Sequence, residues 1–276
     1  MATCIDQCLV SNTLCRFTKL CRPTFLNLVS CKNEEKDEIF VKIREEAQSD
    51  VQQEPILFSY YFELILSHRT LESALAYHLA TKLSSSNLYR DVHVLLEVFN
   101  KVLADDCETR AAIRDDLKAV RERDPACISY VHCFLNFKGF QACQAHRLAH
   151  KLWLQGRKVM ALLIQGRVSE VFAVDIHPGA KIGRGIVIDH ATGVVIGETA
   201  MVGDNVTILH DVTLGGTGKA SGDRHPKIGN GVFLGAGAKV LGNITIGEGA
   251  KIGAGSVVLK DVPPKSTAVG NPARLL

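Results

Sequence analysis

The sequence lacks the features that would place the protein in a membrane, on nucleic acid or in a disulfide framework. No stretch approaches the roughly 18 to 20 apolar residues that span a bilayer. The 32 lysines and arginines are nearly balanced by 29 acidic residues, and no basic run is interleaved with aromatics. The nine cysteines form no CxxC pair and end at Cys143, which favours free thiols in a reducing compartment. The composition therefore predicts no membrane partner and no nucleic-acid partner.

Acidic residues are scarce in the first 33 residues. The first 31 hold five of the nine cysteines and three basic residues, but a single acid, Asp6. This bias resembles an organelle transit peptide, and a disordered leader of a cytosolic protein fits the composition equally well. We expect residues 1–33 to be a leader. The predicted location is the cytoplasm, with a plastid or mitochondrion as the alternative if the leader is a transit peptide.

Residues 34–170 carry the spacing of amphipathic helices. Apolar residues recur at three- and four-residue intervals, as at Ile39 and Ile43 or at Ile113 and Leu117. This segment is predicted to be an α-helical domain.

Residues 171–276 follow a period of six, which fits neither a helix nor an alternating strand. An aliphatic residue recurs at each repeat and glycine often follows it, which is typical of hexapeptide repeats in a left-handed parallel β-helix. Three repeats make one coil of about 18 residues, so four to five coils are predicted. The fold class is thus α+β, a helical domain followed by a β-helix. The thirteen repeat positions are Ile176, Ile182, Ile188, Ile196, Val202, Ile208, Leu214, Ile228, Leu234, Val240, Ile246, Ile252 and Val258.

The period slips twice, and both slips lie near polar residues. Two extra residues separate Ile188 from Ile196, and eight extra residues separate Leu214 from Ile228. A solenoid accommodates insertions as loops, often on its binding face. The second loop, residues 215–226, is therefore the first place to seek chemistry.

Two histidines occupy equivalent positions three repeats apart. His190 and His210 are each the third residue of their repeat, so they should stack at one corner on adjacent coils, about 4.8 Å apart. A histidine that acts as a general base needs a carboxylate to orient it. Asp175, Asp189 and Glu198 are near in sequence; Asp175 is the better candidate, since Asp189 can equally be a simple corner residue.

The GGTGK run in the second loop lacks the spacing and the Lys-Ser/Thr ending of a P-loop, and no helix pattern follows it. Nucleotide triphosphate hydrolysis is not supported. Its flexible backbone and Lys219 could instead hold the phosphates or the pantetheine arm of a CoA.

The chain contains the runs RERDPACISY, VDIHPGAKIGRGIVIDHATGVVIGETA, ILHDVTLGGTGKASGDRHPKIG, GAGAKVLGNITIG and GAGSVVLKDVPP. Together these runs resemble the serine acetyltransferase family over residues 35 to 276. The resemblance implies transfer of acetyl from acetyl-CoA to L-serine, giving O-acetylserine for cysteine biosynthesis, with acetyl-CoA as co-substrate and no metal.

The resemblance also implies roles for individual residues. His190 would take the proton from the serine hydroxyl and Asp175 would orient its imidazole. Serine would be bound by Asp124, Asp189, Glu198, His210, Arg224 and His225. The CoA would lie near Thr217, Lys219, Ala236 and Lys251.

The partners that the resemblance implies include further copies of the chain. Members form homotrimers through the β-helix, with active sites between subunits, and dimers of trimers through the helical domains. L-cysteine is expected as a feedback inhibitor at the serine site. Members also bind an O-acetylserine sulfhydrylase through a C-terminal tail ending in isoleucine; this chain ends at Leu276, so we expect weak or no binding from it.

Two other classes of function compete with this interpretation. A metal enzyme of the carbonic anhydrase type, on the same β-helix, would bind zinc with three interface histidines, of which His190 and His210 supply two and His225 or a neighbour the third. A non-catalytic solenoid scaffold would explain the repeats but would leave the polar cluster without a purpose.

Overall fold

The computed structural model describes residues 37–84, 92–218 and 221–276. The predicted leader, residues 1–33, and the predicted CoA ligand Lys219 lie outside the described residues. From Glu38 to Leu276 the chain forms one compact unit.

The described residues before position 173 are helical. Eight α-helices are formed, and a 3-10 turn at Pro55–Leu57 and a π turn at Phe62–Leu66 flank the second of them. Helix α8 ends at Phe172, and the first strand begins at Val174. The helices are α1 Glu38–Gln53, α2 Phe58–Tyr61, α3 Leu71–Leu83, α4 Val92–Asp105, α5 Cys107–Arg123, α6 Tyr130–Asn136, α7 Lys138–Leu154 and α8 Lys158–Phe172.

Local sequence explains where several helices start and which is central. The Thr70 hydroxyl accepts a hydrogen bond from the Ser73 amide at 3.2 Å and so caps α3. The Ser129 hydroxyl caps α6 in the same way, accepting from the His132 amide at 3.0 Å. Helix α7 is buried on nearly all sides from Gly139 to Ala149, as expected for the helix on which the others pack.

The chain from Val174 onward is a parallel β-helix with three flat sides, so the predicted fold class is confirmed. Strands three apart in sequence pair in parallel, and β12 also pairs in parallel with β14. The sheets are β1-β4-β7-β10-β13, β2-β5-β8-β11 and β3-β6-β9-β12-β14, and β15 pairs antiparallel with β14. The strands are β1 Val174–Ile176, β2 Lys181–Ile182, β3 Val187–Ile188, β4 Val194–Ile196, β5 Met201–Val202, β6 Thr207–Ile208, β7 Thr213–Gly215, β8 Lys227–Ile228, β9 Phe233–Leu234, β10 Lys239–Leu241, β11 Thr245–Ile246, β12 Lys251–Ile252, β13 Val257–Val258, β14 Thr267–Gly270 and β15 Ala273–Leu275.

The strand register reproduces the predicted repeat and both predicted slips. Lys239 pairs with Val257, which is one coil of 18 residues. Val174 pairs with Val194 and Thr213 with Lys239, so the first coil holds two extra residues and the third holds eight. The insertions therefore leave the strand pairing intact and emerge as loops at the corners.

A buried ion pair fixes the helical domain on the first coil. The Arg147 guanidinium on α7 donates to the Asp116 carboxylate on α5 at 2.7 Å and to the Gly183 carbonyl of the β-helix at 2.6 Å. The other Asp116 oxygen accepts from the Ile186 amide at 2.8 Å. Because every charged atom of this pair has a partner, the buried charges are compensated and orient two helices against one coil.

Two further contacts bring helices close to the coil corners. Arg123, at the end of α5, donates to the Asn205 carbonyl at 2.8 Å and also to the Gly185 carbonyl. Gly139 on α7 approaches β3 so closely that an added Cβ would lie 1.9 Å from the Ile188 carbonyl oxygen. Only glycine allows this approach, and Ile188 lies two residues before His190.

The described residues can be compared with the sequence analysis for cysteine pairing and for membrane-spanning helices. Their four cysteines, Cys107, Cys127, Cys133 and Cys143, are free thiols. Within the same residues, no helix combines the length and the apolar character required to cross a bilayer.

Candidate active site

His190 and His210 stack at one corner of the β-helix, as the repeat count predicts. Ile188 pairs with Ile208, and two residues further on the imidazole centroids are 5.9 Å apart in an edge-to-face arrangement. Ala236 occupies the same position on the next coil, where Gly237 donates to the His210 carbonyl at 2.9 Å. A small side chain thus follows the two rings along the stack and leaves space beside them.

The two-residue insertion sets the backbone conformation of His190. At this corner the later coils place one residue in the left-handed region, namely Asp211, Gly237 and Gly255. The first coil places three there, His190 at φ +54°, Ala191 at φ +58° and Gly193 at φ +78°, of which Gly193 is the equivalent of Asp211 on the next coil. A non-glycine residue in this region is uncommon. The His190 side chain is 76% exposed, so its imidazole is open to a ligand.

Asp189, and not Asp175, is the carboxylate beside His190 in the single chain. Asp189 Oδ1 lies 3.8 Å from His190 Nε2. Asp175 lies on β1, and its Oδ1 accepts a hydrogen bond from Gln165 Nε2 of α8 at 2.7 Å. Strand β1 belongs to the flat side that starts at the histidine corner, and Asp175 faces outward from it, between the buried Val174 and Ile176.

A second polar cluster lies at the opposite corner of the same flat side. The Arg224 guanidinium donates to the Glu198 carboxylate at 2.8 Å, and this hydrogen bond holds the pKa of Glu198 below its usual range. Both side chains are partly exposed. The second insertion, residues 215–226, therefore returns the chain to the coil that carries Glu198.

Thr199 fixes the ring of His225 within this cluster, a role that sequence analysis missed. The Thr199 hydroxyl accepts from the backbone amides of Arg224 and His225 at 3.0 and 3.2 Å. Its own hydrogen is therefore free to donate to His225 Nδ1, 2.9 Å away, and the Thr199 amide approaches the same nitrogen at 3.2 Å. Two donors on Nδ1 require the tautomer with hydrogen on Nε2. Burial and the charge of Arg224 lower the pKa of His225, so the ring is a neutral donor.

Close packing holds the His225 ring against Gly197. A Cβ added to Gly197 would lie 2.0 Å from His225 Nε2 and 2.1 Å from Cδ2. The glycine of the segment GETA is thus required by a side chain 28 positions later in the chain. The glycine at position 197 was a further signal for the site, but a single sequence does not reveal that the His225 ring fills the space beside it.

His177 belongs to this cluster as well. Its Nδ1 accepts from the Gly179 amide at 3.0 Å, and its ring meets the Trp153 ring edge to face at 5.0 Å. Burial lowers the pKa of His177. Because Nδ1 accepts, the neutral ring carries its hydrogen on Nε2. The charges of Glu198 and Arg224 both act on this ring.

The two clusters are too far apart in one chain to hold one small amino acid. The flat side between them runs from Gly193 to Gly197, about 13 Å at roughly 3.3 Å per residue. His190 and His210 lie at its start, and Glu198, Arg224 and His225 lie at its end. A ligand of serine size can contact only one cluster of a given chain.

The remaining predicted residues occupy three different places. Asp124 ends α5, and its Oδ1 accepts from the Ala126 amide at 2.9 Å, which shapes the turn before α6. Thr217 lies beside Gly242, at the corner that also carries the second cluster. Lys251 is exposed on β12, on the outer face of the sheet that leads to Ala236. Thr217, Ala236 and Lys251, the predicted CoA ligands that the structure describes, therefore extend around the coils instead of lining one cavity.

No group of three or more His, Cys, Asp or Glu side chains within residues 37–84, 92–218 and 221–276 is arranged to hold a metal ion. His225 lies at the other end of the flat side from His190 and His210. The three-histidine zinc site of the rival hypothesis is therefore not formed within one chain.

Comparison with protein families gives two matches. Residues 39–145 match the model of the serine acetyltransferase N-terminal region, and residues 225–260 match that of the bacterial transferase hexapeptide repeats. The matches fall on the helices and on the later coils, respectively.

Individual proteins are similar over most of the chain. The chloroplastic serine acetyltransferase 1 of Arabidopsis thaliana is 64% identical, over the whole chain and 90% of that protein. The mitochondrial serine acetyltransferase 3 of the same plant is 66% identical, over 89% of the chain and 62% of that protein.

Solved structures share the fold as well as the sequence. A soybean serine acetyltransferase complexed with serine is 60% identical, with a TM-score of 0.84 over 86% of this chain and 97% of that one. A serine acetyltransferase from Brucella abortus in complex with coenzyme A is 48% identical, with a TM-score of 0.85 over 87% of this chain and 95% of that one.

Proposed function

Because this chain belongs to the serine acetyltransferase family, we propose that it transfers acetyl from acetyl-CoA to L-serine and makes O-acetylserine for cysteine biosynthesis. The observation that carries the proposal is the open histidine corner, on a fold that relatives at 48% to 60% identity use to hold serine or coenzyme A.

His190 is the general base in this proposal. As the serine hydroxyl oxygen attacks the thioester carbonyl carbon, Nε2 of His190 accepts the hydroxyl proton. The carbon–sulfur bond then breaks, and the imidazolium returns the proton to the departing CoA sulfur. An ester C–O bond and an S–H bond replace the O–H and C–S bonds, so no other reactant is needed. The high exposure of the His190 side chain supports this role.

Asp175 and Asp189 stabilise the imidazolium in different ways. Asp189 is close enough to attract the positive ring directly, with Oδ1 3.8 Å from Nε2. Asp175, on strand β1, orients the ring. A hydrogen bond to a fixed carboxylate sets which ring nitrogen is free to accept the proton.

The second cluster binds the charged groups of serine. The Arg224 guanidinium forms a two-pronged donor for the carboxylate of serine, and the neutral His225 donates a further hydrogen bond from Nε2. The ammonium group of serine is attracted by the carboxylates of Asp124, Asp189 and Glu198. His210 lines the same pocket beside His190.

Acetyl-CoA binds along the coils beyond the histidine corner. Ala236 leaves room for the pantetheine arm next to His210, and Lys251 is an exposed cation for the phosphates. Thr217 and Lys219 belong to the second loop, whose exposed backbone at Gly218 can approach the arm closely.

Two copies of the chain complete one active site. The histidine corner of one copy (His190 and His210) supplies the base, and the arginine corner of its neighbour (Glu198, Arg224 and His225) supplies the carboxylate-binding groups. One chain separates these two corners by about 13 Å. A homotrimer formed through the β-helix provides three such pairs. Dimers of trimers through the helical domains are the proposed larger assembly.

L-Cysteine inhibits at the same site, since it presents the same carboxylate and ammonium groups as serine. Removing the guanidinium with Arg224→Ala should weaken serine binding and cysteine inhibition together. Docking of an O-acetylserine sulfhydrylase is a further proposed interaction of the family.

The compartment proposed for the protein is a plastid or mitochondrion. The two relatives described above are named chloroplastic and mitochondrial, and the first matches this chain along its whole length. Fusion of residues 1–33 to a fluorescent protein tests the proposal. A cytosolic signal from that fusion would contradict it.

CoA release measured with L-serine and acetyl-CoA tests the proposed reaction. We expect serine-dependent release that His190→Asn lowers by about two to four powers of ten, while acetyl-CoA still binds. Absence of serine-dependent release from the unaltered chain would contradict the function. Near-normal turnover of His190→Asn would instead remove only His190 from the mechanism.

A further inference from the structure

Gln165 makes a direct contact with one of the two carboxylates near the histidine corner. Its Nε2 lies 2.7 Å from Asp175 Oδ1. A carboxylate accepts hydrogen bonds and donates none, so the amide must present its NH2 group. This contact fixes both side chains: the amide cannot rotate without losing the bond, and one carboxylate oxygen is held in place.

The backbone explains why these two residues meet. Helix α8 ends at Phe172, and the next residue, Ala173, adopts the left-handed conformation at φ +56° and donates to the Ser169 carbonyl. This turn reverses the chain, so β1 runs back along α8. Val174 and Ile176 point into the coil and are buried, so Asp175 points outward toward the helix.

The geometry points to Gln165 as a positioning residue that sets the orientation of the Asp175 carboxylate for catalysis. This inference rests on the proposed acetyl transfer and on the orienting role of Asp175. Because Oδ1 accepts from Gln165, Oδ2 is the oxygen left for the imidazole of His190. A carboxylate restrained in this way is oriented before substrate binds, which lowers the cost of reaching the reactive arrangement.

The helical domain therefore contributes to the chemistry as well as to the fold. Gln165 touches neither the histidine corner nor the arginine corner, and no motif in the sequence distinguished it. Its effect should appear in turnover, since the contact acts on the orientation of the base. Binding of acetyl-CoA should be nearly unaffected.

Gln165→Leu tests the inference, since leucine has a similar volume and no donor. We expect kcat for serine acetylation to fall about tenfold, with KM for acetyl-CoA within about twofold of the unaltered enzyme. Ser169→Ala, one turn further along α8 at an exposed position, is the matched control and should leave kcat unchanged. Thermal unfolding of each variant establishes that it is folded, and Gln165→Met replaces Gln165→Leu if leucine prevents folding.

A double-mutant cycle with Asp175→Asn separates positioning from a merely structural role. If Gln165 acts through Asp175, then Gln165→Leu should change kcat by less than about twofold in the Asp175→Asn background. An equal loss in both backgrounds would overturn the inference, as would normal kcat in Gln165→Leu or in Asp175→Asn.

The proposed function can fail separately from this inference. Absence of serine-dependent CoA release from the unaltered chain would contradict the acetyl transfer itself. An active enzyme that is impaired by Asp175→Asn but not by Gln165→Leu would contradict only the role of Gln165.

Discussion

The arginine corner depends on one glycine and one threonine that carry no obvious chemistry. Thr199 sets the tautomer of His225 by donating to Nδ1, and Gly197 provides the space in which the ring lies. The hydrogen on Nε2 is thereby available to a bound carboxylate. At the scale of single residues, the site is made specific by the neighbours of the reactive groups.

Gly197→Ala should displace the His225 ring, because the new methyl carbon would lie 2.0 Å from Nε2. We expect KM for serine to rise by about tenfold or more, from the loss of a charge-assisted hydrogen bond. Steady-state kinetics with serine varied measures the effect. Gly215→Ala, at the equivalent position one coil further, meets only flexible side-chain atoms near 3.1 Å and is the control. An unchanged KM in Gly197→Ala would show that His225 does not bind serine.

Buried histidines make the stability of the fold depend on pH. Burial lowers the pKa of His78 from 6.5 to about 4, and burial lowers that of His146 far below its ordinary value. A lowered pKa in the folded state means that the neutral ring stabilises the fold. The contribution is complete above pH 6.5 and is lost as the pH falls toward 4.

Thermal unfolding at about pH 7.5 and at about pH 5 should therefore differ, with the lower midpoint at the lower pH. The full shift of His78 corresponds to about 3 kcal/mol. His78→Gln should reduce the difference between the two midpoints. Equal midpoints for the unaltered protein at both pH values would contradict the prediction.

At the scale of elements, insertions and close helix contacts control the direction of the functional side chains. Two extra residues after β3 give the His190 corner two additional left-handed residues, His190 and Ala191. Eight extra residues after β7 return the chain to Glu198 with Arg224 and His225. Helix α7 supports the first of these corners through its contact with β3 at Gly139.

Gly139→Ala should separate α7 from β3, because the new methyl carbon would lie 1.9 Å from the Ile188 carbonyl oxygen. We expect the free energy of unfolding to fall by about 1 to 3 kcal/mol. Turnover should fall with it, since Ile188 leads directly to the His190 corner. Calorimetry and the CoA-release assay measure the two effects.

Gly166→Ala in α8 is the matched control. A Cβ there meets nothing within 4 Å, and alanine favours a helix by about 1 kcal/mol over glycine. This variant should be as stable as the unaltered protein or more stable. If Gly139→Ala were as stable as the unaltered protein, the contact between α7 and β3 would not contribute to stability.

At the scale of the whole molecule, the proposed active site needs two copies of the chain. His190→Asn and Arg224→Ala should each be nearly inactive alone at low serine concentration, because each damages one of the two corners. Mixed assemblies contain some interfaces where an intact His190 corner meets an intact Arg224 corner.

Co-expression of the two variants in equal amounts should restore about one quarter of the normal activity, the fraction of interfaces expected to be intact in a cyclic assembly. Co-expression of His190→Asn with Asp189→Ala is the control, since both changes lie at the same corner and no interface is intact. Activity no greater than that of the separate variants would contradict a site shared between subunits.

The β-helix could be predicted from sequence because its code is periodic. An inward aliphatic residue every six positions predicts a coil directly, and any change in that six-residue spacing predicts a loop. The stacking of His190 on His210 follows from that count alone, and the structure confirms it. Caps such as Thr70 and Ser129 are equally local, since each donor and acceptor lie within three residues.

Tertiary structure decided the contacts between residues that the repeat does not align. The hydrogen bonds of Thr199 join positions 26 residues apart, across a loop whose path the period cannot give. The repeat count places Asp175 on a strand next to His190, yet the Asp175 carboxylate accepts its hydrogen bond from Gln165 of helix α8. Helix-to-coil contacts depend on how two differently periodic surfaces fit together, and only packing determines that fit.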